Sequence, residues 1–367
     1  MHAGIKPRGE KKNHFEDFTV LFAGSYVYIN DKAYPLGELT AELLNYPDEK
    51  LIDLRYTAEM MLVFAEDEFY NPETTKDLAL AQAMRDKINK VLEIIYDMPM
   101  FDKLVLDRDA DFHMLPILWK EDDEAFRNST IMGTEENVRF QSFIYRMATL
   151  ADETLSFKVY VTAMLDIYFE KLRRRASEHY AVGVYRFFSD TAMHMEIAAS
   201  LPPTPFVFFK QARSAEIEYT TLPDLENIER YMIGEQMVFH DYVSFFHVDL
   251  FRGLMHGNTP RRCQNCGRYF LLANSYDAVY CNRVAPGETV KTCRKVGAHR
   301  KSAKGEGKPP AQKMYDTVYN RLKQRHLRKK ISHDEWNAAV VKALEYKDKA
   351  ERGELSDQQL KALYDEM

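Results

Sequence analysis

Cys263, Cys266, Cys281 and Cys293 are the four cysteines of a 367-residue chain, and they fall within one short window. Their spacing is C-x2-C-x14-C-x11-C, beginning Cys263-Gln-Asn-Cys266-Gly267. A CxxC pair on a tight turn aims two thiolates at one point, and glycine directly after it supplies the permissive backbone such a knuckle uses. Two further thiolates complete a tetrahedral zinc site with metal–sulfur bonds of about 2.3 Å. Four sulfur ligands leave no position for water, so the expected chemistry is structural rather than catalytic. Cys281 and Cys293 are not a CxxC pair, so residues 282–292, with Pro286-Gly287, must loop out. His299 is an alternative fourth ligand in place of Cys293. The competing readings are a redox CxxC, which lacks a surrounding βαβ pattern, and four unrelated buried thiols.

Positive charge gathers around the same window. The net charge is −6, yet residues 261–330 carry +14 against −16 for residues 1–260 and −4 for 331–367. Arg261, Arg262, Arg268, Arg283, Lys291, Arg294, Lys295, Arg300 and Lys301 flank the cysteines, with Tyr269, Phe270, Tyr276 and Tyr280 between them. Lys and Arg neutralise phosphates and aromatic rings stack on unpaired bases, so DNA or RNA is the leading expected partner. The other expectation is docking against protein, either a partner or the acidic remainder of the chain. Tyr269, Phe270 and Tyr280 then form the small core of the knuckle.

No other motif reaches chemistry. Gly305-Glu-Gly-Lys308 fails the P-loop spacing, and Pro309-Pro310 blocks the helix that should follow. His194-Met-Glu196 lacks the P-C-x-x-C partner of a deaminase. No small-molecule ligand is identifiable and no catalytic residue is assigned; an enzyme with an unrecognised site in the helical region is the third reading. No apolar run is long enough to cross a bilayer, and the clustered cysteines suit metal rather than disulfides, so the expectation is a cytoplasmic protein without a membrane partner.

The elements that must position these residues read as α+β, predominantly α-helical, with small β-hairpins, a zinc-ribbon-like module and a helical C-terminal tail. The expected layout is a flexible arm over 1–16, an acidic helical domain with small hairpins over 17–260, the four-cysteine module over 261–300, a linker over 301–310 and the tail over 311–367. Phe18–Ile29 and Ala33–Leu36 around Asn30-Asp31 predict a hairpin. Leu80, Met84, Ile88, Val91 and Ile95 keep helical steps within a block running from Glu38 to about Tyr96. Residues 107–134 read as an acidic loop, and 135–189 as helical. Phe206–Lys210 and Ala215–Thr220 predict a second hairpin. Ile228, Met232, Phe239, Tyr242, Phe246, Leu250 and Leu254 predict one long helix from about Pro223 to His256. Three tail helices follow, two opened by the capping boxes Ser332-His-Asp-Glu335 and Ser356-Asp-Gln-Gln359.

The run Arg261–Phe270, then Tyr280-Cys281, then Cys293-Arg-Lys-Val-Gly297, resembles an uncharacterised bacterial (Firmicutes-type) domain-of-unknown-function family. The resemblance covers roughly the C-terminal half, from about Pro203, and implies no known activity. It does imply the aromatic helix before the cysteines and the basic helical tail after them. The module is also similar to the CGNR-type zinc finger of bacterial transcription regulators. Arg261, Arg262, Cys263, Cys266, Tyr280, Cys281 and Cys293 follow that order, although Arg294-Lys295-Val296 stands where that finger has Gly-Asn-Arg. This similarity implies DNA binding and a regulatory role.

Overall fold

The computed structural model describes residues 15, 17–104, 123–170, 172, 175–201, 215–224, 229–272, 278–303 and 309–367. Two compact units result, Met1–Cys293 and Arg294–Met367. The fold is α+β and mainly helical.

In the first unit, alternation builds the opening strands. In β1 (Phe18–Ala23) Phe18, Val20 and Phe22 are buried, and in β2 (Tyr26–Ile29) Val27 and Ile29 are. The turn into β3 (Lys32–Pro35) places both Asn30 and Asp31 at positive φ, 46° and 61°, the backbone of a two-residue hairpin turn and one that Asn and Asp tolerate. Helices follow: α1 (Glu38–Asn45), α2 (Asp48–Phe64), α3 (Leu78–Tyr96), α4 (Asp123–Thr130), α5 (Glu135–Ala163), α6 (Ser177–Ser189) and α7 (Thr191–Ser200). Both α2 and α5 pass into π-helical turns, Ala65–Phe69 and Met164–Phe169. The expected acidic loop is therefore interrupted by α4; its residues 107–122 lie outside the described residues.

The long helix expected from Pro223 to His256 is instead a strand and a shorter helix. Glu216–Pro223 (β4) and Tyr231–Phe239 (β5) form a hairpin, and only Tyr242–Met255 (α8) is helical. Met232 and Phe239 are seven residues apart, which matches two helical turns; in the strand that spacing puts them on opposite faces, and Met237 and Phe239, two apart, are the buried pair. Gly234 decides it locally. A Cβ there would stand 2.8 Å from the side chains of both Leu21 and Leu222, so a neighbouring strand presses against bare backbone. Phe206–Lys210, the expected partner of this region, lies outside the described residues. β5 inserts between β4 and β1, giving an antiparallel sheet ordered β3-β2-β1-β5-β4 with Phe18 opposite Phe239. Phe18, Phe22, Phe239 and Phe245 of α8 pack together beneath it, ring centroids 5.6–6.3 Å apart.

Helix α8 fixes α1. Gly253 lets the two chain segments touch: a Cβ there would lie 3.1 Å from the Leu36 carbonyl oxygen and 3.2 Å from Gly37 N. One turn earlier, fully buried Asp249 accepts hydrogen bonds from Gly37 N–H and Thr40 N–H, each at 2.9 Å, and from the Thr40 hydroxyl at 2.7 Å. These are orphan donors at the N-terminus of α1, satisfied here from 209 and 212 residues away.

The second unit, in its described part beyond α9 (Cys293–Ala303), comprises α10 (Pro310–Leu327), α11 (His333–Glu351) and α12 (Asp357–Asp365). Val318, Leu322, Ala343, Leu360 and Tyr364 form its core. Both expected capping boxes are present at Ser332 and Ser356.

Burial pushes the Asp249 carboxyl up to about 6, against the pull of its three donors. Its folded value thus lies above the unfolded value near 3.9, so the fold prefers the neutral acid. The stability this group contributes is fully present below about pH 4 and is lost as pH rises through about 6. Relative to Asp249→Asn, which does not titrate, the wild-type chain should lose on the order of 2 kcal/mol between those limits and nothing further above them. Urea denaturation of both proteins across that range measures it. A flat difference would mean that the three donors keep the carboxylate ionised throughout.

Candidate metal centre

Strands β6 (Thr259–Arg262) and β7 (Tyr269–Leu272) pair antiparallel, with Arg262 opposite Tyr269. The hairpin between them is the knuckle. Cys263 N–H donates to Arg268 O and Gly267 N–H to Cys263 O, both at 2.9 Å. Gly267 takes φ +74°, and a Cβ added there would meet nothing within 4 Å, so the backbone angle, rather than crowding, asks for glycine. Gln264 N–H donates to Val279 O at 3.0 Å and ties the knuckle to the segment carrying Cys281. Residues 282–292 loop out as a small hairpin: Cys293 N–H reaches Arg283 O, Ala285 N–H reaches Lys291 O, and Gly287 turns at φ +78°. The long gap between the last two cysteines is thereby folded back on itself.

The four sulfur atoms lie within 4.8 Å of one another. Cys263, Cys281 and Cys293 are buried and all four thiols are free. Cys266 Sγ and Cys281 Sγ stand 3.7 Å apart, far beyond a disulfide bond and close to the roughly 3.8 Å edge of a tetrahedron with 2.3 Å metal–sulfur bonds. Polar groups surround the sulfurs: Cys281 N–H approaches Cys263 Sγ at 3.4 Å, and the Asn265 amide approaches Cys293 Sγ at 3.3 Å. Burial opposes ionisation of Cys263, but the N–H groups of Cys281, Cys266 and Asn265 outweigh it and bring that thiol down to about 7. Burial pushes Cys266 up, and Cys281 up to about 12. One thiolate is thus favoured and its neighbours suppressed; a cation at the centre reverses that, because a coordinating thiol is deprotonated outright. The cluster can hold a metal ion, and Cys293 itself stands at the fourth corner; the side chain of His299 lies outside the described residues.

The basic residues divide. Arg261 is buried and faces inward, ion-paired at 2.9 Å with Glu170 and donating to Ala278 O at 3.0 Å. Glu170 also receives Arg175 at 3.0 Å. Arg262 meets Asp166 at 2.9 Å, donates to the Tyr269 hydroxyl at 3.0 Å and lies 4.9 Å above the Tyr269 ring. Tyr269 is buried, its hydroxyl 3.1 Å from both Asp166 oxygens, and Arg283 donates to its carbonyl at 3.1 Å. Arg268, Lys291, Arg294 and Lys295 are exposed, Lys291 with Glu288 3.8 Å away. Arg300 and Lys301 lie on α9, with side chains outside the described residues. Of the aromatic residues, Phe270 and Tyr280 are half-buried, and Tyr276 lies outside the described residues.

Sequence reasoning missed the groups that receive this ribbon. Asp166 and Glu170 stand one turn apart at the end of the α5 segment, in Met164-Leu-Asp-Ile-Tyr-Phe-Glu170. Two carboxylates on so apolar a helix were the available signal. Asn45, the last residue of α1, acts as a strand edge: its amide accepts from Tyr269 N–H at 2.7 Å and donates to Tyr269 O at 2.8 Å.

With this geometry in view, the comparison with known families returns one match. Residues 210–367 match a family of unknown function, DUF6076. No curated protein and no solved structure matches the chain. The DUF6076 region takes in the four cysteines, Asp249, Arg261 and Arg262, in line with the resemblance expected from about Pro203. It stops short of Thr40, Asn45, Asp166 and Glu170, the groups on which those residues close. Among the described residues no helix is long and apolar enough to cross a membrane.

The two adjacent arginines should differ in cost. Arg261→Ala removes a buried cation from Glu170 and should destabilise the fold by about 3 kcal/mol, within the range for breaking a buried pair and discounted for the half-exposed Glu170. Arg262→Ala breaks a more exposed pair and should cost about 1 kcal/mol or less. Thermal denaturation of both variants checks the difference; equal, small losses would show that Arg261 does not anchor the ribbon.

Proposed function

We propose that the chain is a zinc protein in which Cys263, Cys266, Cys281 and Cys293 hold one structural ion, and in which the ribbon so closed is a fixed part of the helical body. The convergence of four sulfurs within 4.8 Å carries this reading. All-thiolate ligation suits zinc, whose structural sites are closed and tetrahedral, and a reducing compartment such as the cytoplasm suits four free thiols. The role is that of a staple. The ion joins three segments that have little regular structure between them, while Arg261, Arg262 and Tyr269 fasten the ribbon to Glu170, Asp166 and Asn45. Such a module supports an interaction or scaffold protein rather than a catalytic one.

Protein purified without chelator should contain about one equivalent of zinc, read by elemental analysis. Cys263→Ser should lose the metal and the amide protection of residues 259–272 in hydrogen exchange, since structural zinc in finger peptides contributes on the order of 10–16 kcal/mol. Purified protein with no stoichiometric metal, or a metal-free ribbon that stays protected, would overturn the reading.

A second reading rests on Arg268, Lys291, Arg294 and Lys295, which remain exposed beside or just after the cysteines. In this reading they meet nucleic-acid phosphates, and the chain is a nucleic-acid-binding regulator. Binding of the zinc-loaded protein to DNA and RNA should then weaken with salt at a log–log slope of about 0.9 per phosphate contacted, and Arg294→Glu with Lys295→Glu should flatten the slope. No binding at low salt would leave the ribbon as an internal staple alone.

A further inference from the structure

The basic run at the end of α10 divides as the one before the cysteines does. Arg321 donates to Tyr364 O, and Arg325 donates to Met367 O at 2.7 Å, so both are turned onto the C-terminal segment of their own unit. Among the described residues, Lys329 and Lys330 make no such bond to that segment. His326, Lys329, Lys330, Ile331, Ser332, His333 and Glu335 line an open cavity of about 390 Å³ at the turn between α10 and α11. Lys329 and Lys330 are exposed, as is His333.

The backbone that carries these side chains is fixed at the turn. Lys329 adopts φ +55°, a left-handed conformation that glycine ordinarily supplies at a helix end. Its N–H donates to His326 O at 2.8 Å, and Lys330 N–H donates to Arg325 O at 2.9 Å, which closes the end of α10. Behind the turn Trp336 stacks on His326, ring centroids 5.4 Å apart and planes 20° apart, and meets His333 at 5.7 Å. The Trp336 indole nitrogen is buried and has no hydrogen-bond partner among the described residues. The carboxylate in the lining, Glu335, is engaged in the capping box, accepting from Ser332 N–H at 2.8 Å. The first-turn N–H of Glu335 is likewise taken by the Ser332 hydroxyl. His326 Nδ1 lies 3.4 Å from Ile331 O and is engaged there, so the donors left to face the cavity are the two ammonium groups and the His333 imidazole, beside Trp336.

We propose that this cavity, lined by His326, Lys329, Lys330 and His333, binds a phosphate group, as a phosphate monoester or as part of a nucleic-acid strand. Paired ammonium groups match the charge of a phosphate, and the His333 imidazole supplies a further polar group to its oxygens. The cavity belongs to the second unit and owes nothing to the cysteine site, so it stands whether or not zinc is bound.

The chain has two tryptophans, Trp119 and Trp336, so Trp119→Phe leaves one indole beside the cavity. Full-length Trp119→Phe protein, titrated with potassium phosphate at constant ionic strength, should show a saturable change in fluorescence. Lys329→Gly with Lys330→Ser should weaken binding about tenfold or more. Glycine takes the left-handed angle at 329 freely, so the melting temperature should hold while affinity falls. Calorimetric titration of the unsubstituted chain repeats the measurement without the Trp119 change. A 5′-phosphorylated and an unphosphorylated decanucleotide separate the sources. Preference for the first together with inorganic phosphate assigns a monoester; equal binding of both, lost in the lysine variant, assigns internal strand phosphates. No saturable signal with any phosphate probe, or unchanged affinity in the lysine variant, overturns the proposal.

Discussion

The N-terminus of α1 must be satisfied without water, and the first unit is arranged around that requirement. An eight-residue helix with five buried residues begins with orphan N–H groups, and those of Gly37 and Thr40 belong to buried residues. Asp249 supplies the acceptor, and Gly253 one turn on lets α8 come close enough to deliver it. Once α1 is set, its far end presents Asn45, and the amide of Asn45 takes both backbone groups of Tyr269. The cysteine ribbon is therefore positioned by a chain of contacts that starts at a buried carboxylate on another helix.

Two kinds of force then act on opposite sides of the ribbon. On one side the four sulfurs converge, an arrangement that four neutral thiols gain little from and a divalent cation favours strongly. On the other, Arg261 and Arg262 reach Glu170 and Asp166. Desolvating Arg261 is costly, and Glu170 and the Ala278 carbonyl compensate it directly. Adjacent residues of like charge thus do different work: Arg261 is enclosed, Arg262 covers a tyrosine face, and Arg268 remains in solvent.

Much of this was legible in local spacing. The cysteine positions, the Asn30-Asp31 turn and the two capping boxes each depend on residues a few positions apart, and each is found where its spacing placed it. What lay beyond the sequence was partnership over distance. Glu170 is 91 residues from the arginine it holds, and Asp166 is comparably far from Arg262, so a run of basic residues reads the same whether it faces phosphate or carboxylate. β5 was hidden for a different reason. Apolar residues seven apart favour the helical period, whereas the close approach of Leu21 and Leu222 to Gly234 that marks the strand is a property of the sheet rather than of the segment.

The pairing of β1 with β5 has a consequence for how the chain is made. Phe18 finds its partner only at Phe239, and Gly37 finds its carboxylate only at Asp249. On a ribosome, the first three strands emerge long before the strand and helix that cover them, and the last sulfur of the cluster arrives at the final residue of the first unit. Local helices such as α3 and α5 can form as they appear, whereas the sheet, the α1 cap and the ribbon close together near the end of that unit's synthesis. Topology of this kind makes folding slow and late, and it leaves the early hairpin exposed for the interval.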